Sequence, residues 1–240
     1  MNSIMRTVLT TLAITASAGM AAVTVDATSG FNGWLESNTG DLSLSGRFLS
    51  GSGTGMDTGG SSWGLYANSG QTASNTYLFG STLSVGESVS ISVSLGFIDG
   101  GGTIGFGLQN SSGVNRFESY YIGGSTDAWK INDSGGQEDI TGVATGFAAT
   151  SWSNSNYADF EFHLLPSNVY SLSVNGTPIT NADLGIAASD IDRIRIFNYN
   201  AGNNGSGGHD QFFNSLSVIP EPSTAWLSGL AALVLLRRRR

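Results

Sequence analysis

Three polar residues with acid–base side chains share one parity of an alternating segment, Asp159, Glu161 and His163. The intervening residues are apolar, so a β-strand would place all three polar side chains on one face. Paired carboxylates are the groups that glycoside hydrolysis uses, about 5 to 5.5 Å apart in a retaining enzyme. A glycan-active hydrolase using Asp159 and Glu161 is therefore one interpretation. The same alternation is also typical of a polar stripe that faces water, which is the interpretation we prefer.

Aromatic residues offer a second kind of chemistry, because their flat faces line many ligand sites. Trp63, Trp129 and Trp152 are on this ground candidate glycan-binding residues. Tryptophan is also highly buried on average, so the same residues would serve as core. The sequence alone leaves both roles open.

Oxygen-bearing side chains crowd the Gly- and Asn-rich segment near residue 205. Asn198, Asn200 and Asp210 flank it, and their oxygens are hard ligands suited to calcium. Turn formation explains the same residues, because Asn and Gly tolerate positive φ. A structural calcium ion is thus one expectation, and we expect no other cofactor.

Composition excludes several classes of protein. The chain has no cysteine, which rules out cysteine catalysis and thiolate zinc sites. Between residues 22 and 219, five basic and seventeen acidic residues give a formal charge of −12, which disfavours nucleic acid as a partner. We find no convincing catalytic motif and expect a protein that is not an enzyme.

The elements that must position these residues are predicted to be β-strands. Residues 88–97 alternate strictly, and Gly-rich turns lead on to strands near 104–108 and 116–122, which together predict a three-stranded meander. Further strands are predicted at 159–164, 170–174, 192–199 and 211–219, with a hairpin turn at Asn175-Gly176. The pattern predicts an all-β fold over residues 22–219, a two-sheet antiparallel β-sandwich.

The first 21 residues have the features of a secretory signal peptide. A short basic region ending at Arg6 precedes an apolar stretch, and small residues follow from Ala16 onward. We therefore expect residues 1–21 to hold a signal peptide that directs export and is removed by a cut after Ala18 or after Ala21.

The last 21 residues, 220–240, have three parts in a fixed order. Pro220, Glu221 and Pro222 come first, an uncharged run at about 223–236 follows, and the chain ends in a stop-transfer cluster: Arg237, Arg238, Arg239 and Arg240. Guanidinium groups stay charged and are costly to move across a bilayer, so the C-terminus is expected to remain cytoplasmic. Fourteen helical residues reach only about 21 Å, against about 30 Å of hydrocarbon, so this membrane helix would be a marginal anchor.

This tail resembles the PEP-CTERM sorting signal of Gram-negative bacteria. The resemblance rests on Pro220-Glu221-Pro222-Ser223-Thr224-Ala225, the apolar run and the terminal arginines. It implies recognition by an exosortase, a membrane protease or transpeptidase, and delivery of the body to the cell surface or extracellular matrix.

Three segments of the body resemble strands of concanavalin-like jelly rolls, namely residues 97–101, 170–176 and 210–218. Such domains are often carbohydrate-binding or adhesive modules of secreted proteins, which implies extracellular polysaccharide as a partner. The resulting hypothesis is an exported, non-enzymatic surface or matrix protein, transiently anchored in the inner membrane and able to bind glycan. A purely structural matrix protein is the other non-enzymatic interpretation.

Overall fold

The computed structural model describes residues 22–51, 55–68, 70–95, 98–123, 129–133, 136–139, 157–184, 190–202 and 209–220. Within these ranges the chain is all-β, with two short 3-10 turns at Ala27–Ser29 and Pro166–Asn168. The strands are β1 (Val23–Val25), β2 (Trp34–Thr39), β3 (Ser45–Ser50), β4 (Ser62–Ala67), β5 (Thr72–Leu78), β6 (Ser88–Leu95), β7 (Thr103–Asn110), β8 (Asn115–Ile122), β9 (Lys130–Asp133), β10 (Gly136–Asp139), β11 (Ala158–Leu164), β12 (Val169–Val174), β13 (Thr177–Asp183), β14 (Ile191–Tyr199) and β15 (Gln211–Ile219).

The strands form two antiparallel sheets packed face to face, which confirms the predicted sandwich. The eight-stranded sheet has the order β13-β12-β11-β6-β15-β4-β3, with β1 also paired to β15. The seven-stranded sheet has the order β10-β9-β8-β7-β14-β5-β2. Consecutive strands β2 and β3 therefore lie at the edges of different sheets.

Period-two alternation explains why these strands pack as they do. In β6 the side chains of Val89, Ile91 and Val93 are 3%, 2% and 0% exposed, and the intervening serines lie on the opposite face of the strand. The same parity buries Phe160 and Phe162 of β11. Each strand thus contributes one apolar face to a core that lies between the sheets.

The predicted turns are confirmed, but the predicted meander is wrong in one connection. Strands β7 and β8 form a hairpin, and Asn175 and Gly176 have φ values of 52° and 73° as a tight turn requires. Strand β6, however, pairs with β11 and β15, so it has no free edge to offer β7. The segment after β6 instead crosses to the other sheet, where β7 pairs with β8 and β14.

A buried amide holds the N-terminal segment against the last strand. A bulge in β15 follows Asn214, whose Oδ1 accepts from the Ala27 backbone N–H at 2.9 Å. Its Nδ2 donates to the carbonyls of Met56 and Ser61 at 2.8 and 3.1 Å. Asn214 is 0% exposed, so these bonds fasten two loops where water cannot replace them.

Residues 20–221 form one compact unit. The predicted signal peptide and residues 221–240 of the predicted tail lie outside the described residues. Among the residues that are described, no helix is both long enough and apolar enough to cross a membrane.

Candidate functional site

Trp63 and Trp129 point into the core. Both are 0% exposed. The Trp63 ring lies 5.2 Å from the ring of Trp34 and 5.3 Å from that of Phe213, and the Trp129 ring lies 4.9 Å from Phe160. The prediction that these two residues contact glycan is therefore corrected, because neither ring face is open to a saccharide. Trp152 lies outside the described residues.

Asp159 and Glu161 are exposed on the outer face of the eight-stranded sheet. They lie opposite Ser92 and Ser90 of β6, and the Ser92 hydroxyl donates to Asp159 Oδ1 at 2.6 Å. The two carboxylates therefore belong to a polar stripe that faces solvent.

The predicted calcium ligands make bonds within the protein. Asn198 is 0% exposed, and its Nδ2 donates to the Leu65 carbonyl at 3.0 Å. Asn200 Oδ1 accepts from the Gly70 backbone N–H at 2.6 Å. In the described part of the chain, no group of three or more Asp, Glu and His side chains could hold a metal ion. The calcium site stays a prediction.

The third of these residues, Asp210, is partly buried. Burial raises its pKa to about 6, and the neighbouring His209 opposes that rise. In the unfolded chain the pKa would be about 3.9. The folded state therefore binds more protons than the unfolded state between these two values, and stability falls as the pH rises through that window.

Replacing Asp210 with Asn is expected to stabilise the protein by about 2 kcal/mol at pH 7, because it removes the cost of a desolvated charge. The gain should vanish near pH 4, where the folded chain already holds the proton. Urea unfolding in EDTA at both pH values measures this. Asp190→Asn is the control of opposite sign, since the Arg116 guanidinium lowers the pKa of Asp190. No gain for Asp210→Asn at pH 7 would contradict the prediction.

A different set of polar side chains meets on the outer face of the seven-stranded sheet. Gly107 of β7 lies between Glu118 of β8 and Arg195 of β14 in the sheet register. With strands about 4.8 Å apart, the two charged residues are roughly 10 Å apart at the backbone. Their side chains meet across the glycine, with Arg195 Nη2 3.4 Å from Glu118 Oε1. Gly107 contributes no side chain to this space, and the Asn115 side chain lies beside it, where an added Cβ would come within 3.2 Å of Asn115 Oδ1.

The acidic member of this pair is held in place by amides. Asn115 Nδ2 donates to Glu118 Oε1 at 2.9 Å. Gln109 Nε2 in turn donates to Asn115 Oδ1 at 2.7 Å and to the Gly113 carbonyl at 3.1 Å. A chain of hydrogen bonds thus fixes the carboxylate before any ligand arrives.

The basic member of the pair lies over two aromatic rings. Arg195 Cζ is 5.0 Å from the ring centroid of Phe197 and 5.7 Å from that of Tyr199. The two rings stack at 4.7 Å. Burial raises the pKa of the Tyr199 hydroxyl, while Arg195 lowers it and Glu118 raises it further. The hydroxyl therefore stays protonated at neutral pH and can donate a hydrogen bond.

We call Glu118, Arg195, Phe197 and Tyr199 the central cluster. Its charged side chains are only 14% and 23% exposed, although they point away from the core. Phe197 is 1% exposed yet lies outside the main core cluster. The partly buried carboxylate, guanidinium and phenol suit a ligand that carries several hydroxyls.

The sequence contained a signal for this cluster. Gly105 and Gly107 alternate within a strand, where glycine often marks close approach by another group. Arg195, Phe197 and Tyr199 also share one parity of β14. The other parity carries Ile194 and Ile196, so the pattern alone does not decide which face is buried.

Comparison with solved structures places the body among jelly-roll-like β-sandwich proteins. A sialidase superposes with a TM-score of 0.62 at 10% identity over 86% of this chain, which spans 19% of the sialidase. The cellulose induced protein Cip1 gives a TM-score of 0.54 at 13% identity over 82% of this chain and 96% of Cip1. The globular domain of T. cruzi calreticulin gives 0.54 at 10% identity over 88% and 90%. At such low identity these likenesses show the fold alone.

The tail is assigned by a separate comparison. Residues 218–240 match the family model of the PEP-CTERM protein-sorting motif. The chain is therefore an exported, sorted protein of the surface or extracellular space, and the motif implies recognition by an exosortase. The search of curated proteins by sequence finds no match.

Proposed function

We propose that the body is a non-enzymatic, glycan-binding protein of the cell surface or extracellular matrix, delivered there by its sorting tail. The tail holds the protein in the inner membrane for a short time, and the exosortase then processes the tail. The motif at residues 218–240 supports the delivery. The formal charge of −12 on residues 22–219 favours solubility outside the cell.

The observation that carries glycan binding is the Glu118–Arg195 pair beside stacked rings on the seven-stranded sheet. Saccharides present hydroxyls that both donate and accept, together with flat apolar patches of C–H groups. Glu118 accepts, Arg195 donates, and Tyr199 does both. These groups are already held by protein contacts, so little conformational entropy is lost when a saccharide binds.

Binding is favoured over hydrolysis by the make-up of the cluster. Glycoside hydrolysis uses two carboxyl groups that flank the scissile bond. In the central cluster the carboxylate of Glu118 faces a guanidinium and an amide. The alternative pair, Asp159 and Glu161, lies on the opposite sheet, exposed to solvent.

Arg195→Gln is expected to weaken glycan binding about tenfold or more, because a charge-assisted hydrogen bond contributes about 1.5–3 kcal/mol. The measurement is calorimetry with the full chain in mild detergent, on glycans selected by an array. Arg193→Gln is the matched control. Arg193 lies on the same strand but pairs with its neighbour Asp192, so its replacement should change affinity less than twofold.

Three outcomes would count against this proposal. Absence of binding to every glycan tested would favour a purely structural matrix protein. Substantial turnover of β-glucans that is lost in Glu161→Gln would favour the hydrolase. Equal affinity of the Arg195 and Arg193 variants would remove the central cluster as the binding site.

A further inference from the structure

A second candidate site lies at the open edge of the sandwich, between the edge strands β2 and β3. It is a cleft of 740 Å³. The cleft is more open than enclosed, so it would contact one side of a ligand and leave the other side in solvent. We call it the edge cleft, and its lining comes from two strands, their connecting loop and β4: Glu36, Ser37, Asn38, Leu42, Ser45, Gly46, Arg47 and Tyr66.

A fixed arginine joins the two sheets at this edge. Arg47 Nε lies 2.9 Å from Glu36 Oε2. Its Nη1 donates to the Trp34 carbonyl and to Asn75 Oδ1, both at 3.3 Å. The ring of Phe31 lies 4.6 Å from Cζ. The guanidinium therefore has one position, and it holds the Glu36 carboxylate in the cleft.

The amide beside this ion pair has an unused acceptor. Asn38 Nδ2 donates to Glu36 Oε1 at 2.7 Å. Asn38 Oδ1 is buried and has no hydrogen-bond partner in the described part of the chain. Buried acceptors are nearly always satisfied in folded proteins, so this oxygen indicates a missing donor. Because the Asn38 oxygen is itself out of contact with solvent, a ligand hydroxyl reaches it only after the amide turns, whereas the exposed Glu36 carboxylate can accept from a ligand hydroxyl directly.

Apolar surface completes the cleft. Leu42 is 67% exposed on the loop between β2 and β3. Tyr66 lies against Gly46, where an added Cβ would come within 2.9 Å of the phenol oxygen. The glycine thus makes room for the tyrosine at the cleft wall. A carboxylate and an amide close to exposed apolar groups match the two kinds of surface on a pyranose ring.

We infer that the edge cleft binds neutral hexose units of a polysaccharide, as a second site separate from the central cluster. This inference rests on the proposed glycan binding and adds a position and a ligand class to it. The charge argues for neutral sugar. Glu36 and Arg47 compensate each other, and the −12 body repels uronates and other anionic sugars.

The test compares variants of the full chain, in mild detergent, by calorimetry with neutral β-glucan oligosaccharides and with uronate oligosaccharides. Glu36→Gln is expected to weaken neutral-glucan binding at this site about tenfold, and Leu42→Ser about threefold or more. Glu161→Gln is the matched control, since it makes the same chemical change at an exposed carboxylate outside the cleft. Melting temperatures check folding, and Leu42→Ser is expected to leave them unchanged because the side chain is exposed.

The outcomes separate this inference from the proposed function. If wild type binds glycan and both cleft variants bind as wild type does, the cleft assignment fails and the proposed function stands. If wild type binds no glycan, the proposed function fails as well. Tighter binding of uronate than of neutral glucan would overturn the ligand class. Loss of binding in Glu36→Gln and Leu42→Ser with retention in Glu161→Gln supports the inference.

Discussion

Deleting residues 220–240 is expected to remove nearly all of the protein from its surface or matrix location. The sorting motif spans residues 218–240, so the deletion removes all of it except the last two residues of β15. Without the apolar run and the arginines, nothing holds the exported body at the membrane for an exosortase. The truncated body should be found free in the soluble exported fraction.

Cell fractionation and mass spectrometry of the mature C-terminus measure this effect. Replacing Arg237, Arg238, Arg239 and Arg240 with Ser is the finer variant, because it keeps the length of the tail and removes only the charge. The sandwich should fold in both variants, since Pro220 lies beyond the last residue of β15. Full-length and truncated proteins of the same form in the same fraction would contradict the sorting role.

Trp63→Ala is expected to lower the free energy of unfolding by about 3–5 kcal/mol, the usual cost of deleting a buried tryptophan. The side chain is 0% exposed, and its ring is close to those of Trp34 and Phe213. Its Nε1 also donates to the Gly30 carbonyl. Since domains are stable by only about 5–15 kcal/mol, such a loss is a large part of the total.

Urea unfolding followed by circular dichroism measures this change. Leu49→Ala is the control, because Leu49 pairs with Trp63 across β3 and β4 but is 49% exposed. The control should cost less than about 0.5 kcal/mol. A Trp63 variant with wild-type stability and reduced glycan affinity would restore the original prediction of a sugar contact.

The strands with strict alternation could be predicted from sequence, as β6 and β11 show. The connection from β6 to β7 could not be predicted. The turn at Asp99 has the same sequence features whether it joins neighbouring strands of one sheet or strands of two different sheets. The sequence also does not show that the Trp63 side chain lies on the core face of β4. Its neighbour Gly64 gives no polar mark of an outer face, and the ring of Phe48 fills the space that a side chain there would need.

The two candidate sites were missed for a similar reason. The central cluster depends on the register of three strands. Glu118 and Arg195 are 77 residues apart in sequence, and the register places them on either side of Gly107. The edge cleft depends on which strands end each sheet. Sequence alternation reports which side chains share a face, but it does not report which strands are neighbours.

The pairing of β1 with β15 has a mechanical consequence. Val23 lies opposite Val218, so the first and last strands of the body lie side by side, and Val218 is two residues before the tail begins at Pro220. Strand β15 is also bonded to β6 and β4. A force applied along β15, such as flow would exert on a tethered protein, would act on many hydrogen bonds at the same time. It would not break them one by one, as a force on an edge strand can. Any C-terminal tether would therefore pull on a strand that is hydrogen-bonded to three other strands.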